Sequence, residues 1–281
     1  TLLVPAHYEK LMNSKEMAGG FDLSFFRTAG SGGDTMNAGL EAKLNSFLES
    51  RGCRYPLSQG YGMSEVSSAA SCCCNGNFKS LSVGYPLLTT TIGIFEPGTD
   101  NELDYGEEGE ICISGPSIML GYLNNKAETE NVIRRHADGT LWVHSGDIGH
   151  MDSDGFVYIK GRIKRMITLF NGHKIFPTHI ESVLGRHPLV SSCAVVGVND
   201  TTHAQGQLTL AVIETSETSL EKQLAIKNEL YEMCRQELEG PAKPYDVIFI
   251  DSMPHTGMGK IDYLKLAEDY NNENKNETEA V

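Results

Sequence analysis

The apolar residues of this 281-residue chain change their spacing twice, and that change limits what the chain can fold into more than any single motif. In the first stretch, TLLVP and LSFFRTAG are compact apolar runs of strand length, with a helical segment from His7 to Met17 between them. Met36, Leu40, Leu44 and Leu48 then recur every four residues, which predicts an amphipathic helix capped by Asp34 or Thr35 and stopped at Gly52. Strand, helix, strand, helix implies a sheet covered by helices. From about residue 80 the spacing becomes that of short strands: TIGIFEP, GEICISG, TLWVHSG and GFVYIKG, with Asp138-Gly139 and Asp154-Gly155 as hairpin turns. A third pattern follows Arg162. A hairpin turns at Asn171-Gly172 and a helix opens at Pro177. SSCAVVGV and QLTLAVIE are strands, a long helix spans 217–239, and DVIFI is a last strand. The predicted class is α/β, with a β-rich, barrel-like subdomain and then a small α+β domain. The expected boundaries are 1–79, 80–163 and 164–270, with a polar tail at 271–281 too poor in apolar residues to order itself.

Composition removes several function classes. A formal charge of −14 argues against a nucleic-acid partner, because phosphate binding needs a basic footprint. Against that background KGRIKR, residues 160–165, is a local cationic run, either a solvated face or a phosphate contact. No apolar run reaches membrane-spanning length and no signal peptide opens the sequence. The chain starts in midstream on what reads as a buried strand, as if cut from something longer. Seven cysteines, including the triplet Cys72, Cys73 and Cys74, lack the C-x-x-C spacing of a metal site and read as small buried residues in a reducing, cytoplasmic setting.

Five clusters carry chemistry, and each has a plainer reading. TAGSGGDT (28–35) allows close backbone approach to a flat or phosphorylated ligand, or is only a tight turn. In SQGYGMSE (58–65), Ser64 can hold a phosphate oxygen and Glu65 can bind Mg²⁺, or Glu65 caps a helix start. In WVHSGDIG (142–149), Asp147 can accept two ribose hydroxyls, or sits in an ordinary turn. Arg162 suits bidentate contact with ribose or phosphate oxygens, or an interdomain ion pair. Lys260, in PHTGMGKID, stands between glycines on a turn. It is not part of a phosphate-binding Walker loop, which would need Gly where Pro254 stands and Ser or Thr where Ile261 stands.

In this order SQGYGMSE, GEICISG with Gly121-Tyr122, HSGD, GRIK, NGHKIFP and PHTGMGKID resemble the adenylate-forming superfamily, over almost the whole chain. The resemblance implies an ATP-dependent carboxylate–CoA ligase. It would activate a carboxylic acid as acyl-AMP with ATP and Mg²⁺, then pass the acyl group to CoA. It implies that Gly32, Gly33 and Asp34, with Gln59, Gly60 and Tyr61, bracket adenine. Ser64 would meet the phosphate, Glu65 the Mg²⁺, Asp147 the ribose hydroxyls and Arg162 the ribose region. Lys260 would reach from the small domain to the carboxylate and α-phosphate oxygens. Lys164 falls at the hinge of a mobile domain, and Gly172 near the pantetheine channel. An adenylation module or fatty acyl-AMP ligase serving a carrier protein is the alternative within the class. A catalytically silent nucleotide-binding fragment, working with a separate N-terminal half, is the alternative outside it.

The sequence also departs from that pattern. The family's Ser/Thr/Gly-rich phosphate loop is not found in these residues, and much of the acyl pocket is expected to be missing with it. Ser64 and Ser145 stand where threonine is usual, Tyr263 where an Arg is frequent, and His179 where a Glu is usual. The stretch from Gly161 to Pro177 is one residue longer than the common form.

Overall fold

The computed structural model describes residues 2–74, 76–200, 203, 206–238, 240, 242–257 and 260–279. They form two compact units, Thr1–Lys160 and Gly161–Val281. That division lies three residues before the boundary expected at Lys164.

The first unit opens with β1 (Leu2–Leu3), α1 (Pro5–Met12) and α2 (Lys15–Ala18), so the helix expected over 7–17 is broken. The Ser14 side chain accepts from Met17 N and starts the second piece. The strand expected in LSFFRTAG is confined to β2 (Gly30–Ser31). Asp22 accepts from the Ser24 backbone and hydroxyl, which turns the chain before a ladder can form. Leu23 reaches the core from this loop while Phe25 stays exposed. Helix α3 (Ala38–Ser50) starts at Asn37, not at Asp34 or Thr35. Asn37 accepts from Leu40 N at 2.8 Å, whereas Asp34 only holds the neighbouring Thr35 N. The stripe of Met36, Leu44 and Leu48 packs with Tyr8, Leu23 and Leu57.

Strand β3 (Ser58–Met63) follows, then the short 3₁₀ turn Ser64–Val66, β4 (Ser68–Cys72) and β5 (Tyr85–Pro86). β1, β2 and β3 are parallel; β4 and β5 continue the sheet antiparallel. This sheet runs past residue 79, so it crosses the expected subdomain limit. Cys73 is buried, Cys72 half-buried and Cys74 exposed, so the triplet is not uniformly core; all seven cysteines are free.

The second sheet has β6 (Thr91–Phe95), β7 (Gly109–Ser114), β8 (Ile133–Arg135), β9 (Leu141–Met151) and β10 (Val157–Arg162), with α4 (Lys126–Val132) before β8. Its order is β10-β9-β7-β6, with β8 also paired to β9. Among the described residues this is an open sheet, not a closed barrel. Ile92, Ile94, Ile111, Ile113, Val143 and Val157 form its core.

The second unit contains the hairpin β11 (Ile167–Thr168) and β12 (Lys174–Ile175), then α5 (Pro177–Leu184), β13 (Ser192–Asn199), β14 (Gln207–Glu214), α6 (Leu220–Glu237), β15 (Asp246–Ile250) and α7 (Tyr263–Glu279). β13 and β14 are antiparallel, and β15 lies parallel to β14 after the α6 crossover. Both sheet faces are covered, which is why these strands read as unbroken apolar runs. Val195, Ala211, Ile213 and Val247 pack with residues of α5 and α6, while Val196, Leu210 and Val212 pack with Leu266 of α7. Helix α7 continues through most of the tail that composition leaves without order. Its first turns are anchored by Leu266, Ala267 and Tyr270, and a helix once nucleated propagates at little cost per residue. No helix among the described residues is long and apolar enough to cross a membrane.

Ile180 is fully buried between the α5–α6 layer and the sheet. Ile180→Ala is expected to destabilise this unit by about 2–5 kcal/mol, the usual cost of emptying a core site. Urea unfolding followed by circular dichroism checks this; no change in midpoint would contradict the packing.

Candidate functional site

The parallel pairing of β2 with β3, Gly30↔Ser58 and Ser31↔Gln59, sets the two glycine-containing segments side by side. A Cβ on Gly32 would stand 3.1 Å from the Gly60 carbonyl oxygen, so the two backbones approach where a side chain would crowd them. Gly33 and Asp34 are exposed beyond this contact. The Gln59 side chain points elsewhere: Nε2 donates to Glu41 Oε1 at 2.8 Å. Buried Glu41 also accepts from the Ser80 hydroxyl and Leu81 N.

Tyr61 donates its phenol to Asp147 Oδ2 at 2.6 Å, joining residues 86 positions apart. Asp147 lies on an irregularity of β9. Between the pairs Glu110↔Ile148 and Cys112↔His144, β7 has Ile111 alone while β9 has Ser145, Gly146 and Asp147. Such a bulge re-aims side chains and leaves ladder groups unpaired. Gly146 takes φ +71°, a conformation that favours glycine. The freed groups find partners nearby. Gly146 N donates to Glu110 Oε1 at 3.0 Å, Asp147 N to Ser145 Oγ at 3.0 Å, and Ser145 Oγ to Ile111 O at 2.6 Å.

Glu110 is buried, and its Oε2 lies 2.9 Å from His144 Nδ1. His144 Nε2 is 3.0 Å from His136 Nε2, and Cys112 Sγ is 3.5 Å from His144 Nδ1. Burial alone would push the Glu110 carboxyl up. The hydrogen bond and charge of His144 and the Gly146 N–H outweigh it and hold the carboxyl below its usual range. Burial, then the Glu110 charge, push the Cys112 thiol far up.

At the end of β3, Ser64 is exposed and Glu65 half-buried. Tyr122 donates its phenol to Glu65 Oε1 at 2.5 Å, and Met119 N donates to the Glu65 carbonyl at 2.8 Å. The hydrogen bond to Glu65, with burial, raises the Tyr122 phenol to about 12. Glu65 does not cap a helix, since the 3₁₀ turn has no side-chain cap.

The remaining four residues belong to the second unit. Arg162 and Lys164 are exposed around the short turn Ile163–Arg165. Gly172 is exposed in the β11–β12 turn at φ +81°, with open space around its Cβ position, so backbone conformation accounts for it and crowding does not. Lys260 is exposed where His255 bridges Ile261; Thr256 N donates to Lys260 O at 2.7 Å, and Lys260 N to Thr256 Oγ1 at 3.3 Å. Gly259 lies outside the described residues, and a Cβ on Gly257 would meet open space. Tyr263, where an Arg is frequent, stacks under Arg165, whose guanidinium carbon is 3.5 Å from the ring centre.

Gly32–Asp34, Gln59–Tyr61, Ser64, Glu65 and Asp147 thus belong to the first unit, and Arg162, Lys164, Gly172 and Lys260 to the second. Glu41, Glu110, His144 and Tyr122 support the first group without having been singled out by spacing.

Two regions match the profiles of one family: residues 1–123 match "AMP-binding enzyme" and 179–260 match "AMP-binding enzyme C-terminal domain". The chain belongs to the AMP-binding enzyme family. It is 31% identical to luciferin 4-monooxygenase of Luciola mingrelica over 267 residues, 95% of this chain and 46% of that one. It is 32% identical to 4-coumarate–CoA ligase 1 of Narcissus pseudonarcissus over 255 residues, 89% of this chain and 44% of that one. The chain therefore spans less than half the length of these relatives. The crystal structure of ATP-bound MatB from Rhodopseudomonas palustris superimposes with a TM-score of 0.81 at 25% identity, covering 96% of this chain and 50% of that one.

The Tyr122–Glu65 contact can be read directly. Glu65→Gln is expected to bring the Tyr122 phenol down from about 12 towards its ordinary 10.0, followed by ¹³C resonance of labelled tyrosine. An unmoved midpoint would show that Glu65 is not the dominant cause.

Proposed function

We propose that this chain is the portion of an AMP-forming carboxylate–CoA ligase that holds the nucleotide and carries the catalytic lysine. The observation that carries the reading is the Tyr61–Asp147 hydrogen bond at 2.6 Å, which puts an acidic acceptor beside the paired glycine segments in a family of AMP-binding enzymes. The curated names of its relatives, such as 4-coumarate–CoA ligase and feruloyl-CoA synthase, support an acyl-CoA product.

In this reading the backbones of Gly32, Gly33 and Asp34 and of Gln59, Gly60 and Tyr61 flank adenine. Asp147 accepts the ribose hydroxyls, as suits a carboxylate, which is an acceptor with about four lone-pair positions. Ser64 contacts a phosphate oxygen, and Arg162 the ribose region. Glu65 is a hard oxygen ligand suited to Mg²⁺, which, when bound, neutralises phosphate charge. Tyr122 engages one of its two oxygens and fixes its orientation.

The first half-reaction forms a bond from a carboxylate oxygen of the acid to the α-phosphorus of ATP and breaks the bond to pyrophosphate, which leaves. Two anions meet and negative charge builds, so a fixed cation lowers the barrier. Lys260 supplies it. In the second half-reaction the sulfur of CoA bonds to the acyl carbon, the thiol proton goes to solvent, and AMP leaves. A small domain that turns about Lys164 would withdraw Lys260 between the two steps, and Gly172 would then lie near the pantetheine arm. Seven free cysteines suit a reducing, cytoplasmic setting.

The test is mass-spectrometric detection of acyl-AMP, acyl-CoA and pyrophosphate from the chain with ATP, Mg²⁺, CoA and a panel of aromatic and aliphatic acids. Where adenylate forms, Lys260→Ala is expected to slow it by about 10²–10³-fold, in line with loss of one transition-state charge contact, and to spare transfer from supplied acyl-AMP. Absence of both product and saturable ATP binding would overturn the reading for this chain.

A further inference from the structure

We propose that Glu110 is a positioning residue for Asp147, holding the β9 bulge at the angle from which the aspartate presents its carboxylate. The inference rests on the ribose role given above to Asp147.

A bulge of three residues against one leaves backbone donors without ladder partners, and an unpaired buried donor costs about 1–3 kcal/mol. Glu110 faces that defect from the opposite strand. Its Oε1 takes the Gly146 N–H, the amide immediately before Asp147, while its Oε2 is held by His144 at the start of the same bulge. One carboxylate therefore ties the His144 ring and the Gly146 amide together on the side of the turn that leads into Asp147. His136 backs the clamp in its turn: its Nε2 lies 3.0 Å from His144 Nε2, on the side of the ring away from Glu110. Phe95 and Trp142 pack against the His136 ring.

Glu110, Cys112 and His144 also offer oxygen, sulfur and nitrogen within 4.8 Å of one another, the donor set of a soft divalent metal site. Both Glu110 oxygens and both His144 nitrogens already have partners within the protein, so the hydrogen-bonded clamp accounts for the cluster without an ion.

A residue that only supports the fold and one that aims Asp147 differ in what they do to ligand discrimination. Titration calorimetry of the chain with AMP and with 2′,3′-dideoxy-AMP gives an affinity ratio that reports on the hydroxyls alone. Loss of one charged hydrogen-bond acceptor is about tenfold. Asp147→Ala is expected to collapse the ratio about tenfold, and Glu110→Ala to match it. Glu110→Gln, whose carboxamide can accept from Gly146 and, with the His144 ring in its other tautomer, donate to His144 Nδ1, is expected to restore most of it. Glu110→Met, of similar volume but unable to accept, serves where the alanine variant does not fold. In parallel, hydrogen exchange at the Asp147 amide is expected to quicken about tenfold in the alanine or methionine variant and to recover with glutamine. An unchanged ratio and unchanged exchange in those variants would overturn the proposal. If Asp147→Ala leaves the ratio intact, or the chain binds no AMP, the ribose reading falls, and the exchange measurement still decides whether Glu110 holds the bulge.

Discussion

The first unit depends on a defect in its central strand. β9 pairs with three neighbours and is buried for most of its length, yet it carries a carboxylate in its middle. A regular ladder there would pair every backbone group and leave the direction of Asp147 to the pleat. Three residues opposite Ile111 break the register, and the left-handed Gly146 lets the chain recover it by Ile148. The bulge is tolerable because Ser145 and Glu110 replace the lost ladder bonds with side-chain ones. Asp147 then reaches Tyr61 on the other sheet, so the defect also ties the two sheets of the unit together.

How far the sequence reveals this depends on the range of the interaction. The strands and helices of the second unit follow from local rules. SSCAVVGV and QLTLAVIE are apolar on both faces because helices cover both faces, and Pro177 starts α5 where a missing N–H costs nothing. The failures have local causes too. LSFFRTAG has strand composition, but the Asp22–Ser24 turn that takes in its first two residues was a readable breaker signal. Asn37 is as good a cap as Asp34, and only the register of Leu40 separates them. The polar tail is helical next to an anchored first turn, which composition does not see.

Within the site, the ordered motifs carried the resemblance, but not the contacts that support it. Tyr61 and Asp147 are 86 residues apart, Glu65 and Tyr122 are 57 apart, and Glu110 and His144 are 34 apart. No periodicity links residues at such separations. A buried glutamate within GEICISG and a histidine just before Ser145-Gly146-Asp147 were visible as letters; that they meet follows only from β7 and β9 being neighbours. Gln59 shows the converse. Its place in SQGYG suggests a ligand contact, while its side chain is committed to Glu41.

The position of Ser64 and Glu65 is fixed by a second departure from regular geometry. Ser67 and Ser68 have φ +60° and +119°, values that side chains other than glycine rarely take. Each such residue costs on the order of 1–3 kcal/mol and persists only where the surroundings over-determine it. They do so here: a Cβ on Gly62 would fall 1.7 Å from the Ser68 carbonyl oxygen, so only glycine lets the strained turn fold back on β3. Ser67 Oγ donates to Ser117 O, and Glu65 is gripped by both Met119 N and Tyr122. The strain and the grip act on one segment, the one that carries a hydroxyl and a carboxylate. A loop held this way spends little entropy in meeting a charged ligand, and the same economy follows from the clamped bulge that carries Asp147. Glu65 and Asp147 thus both stand on backbone that is irregular and heavily tied.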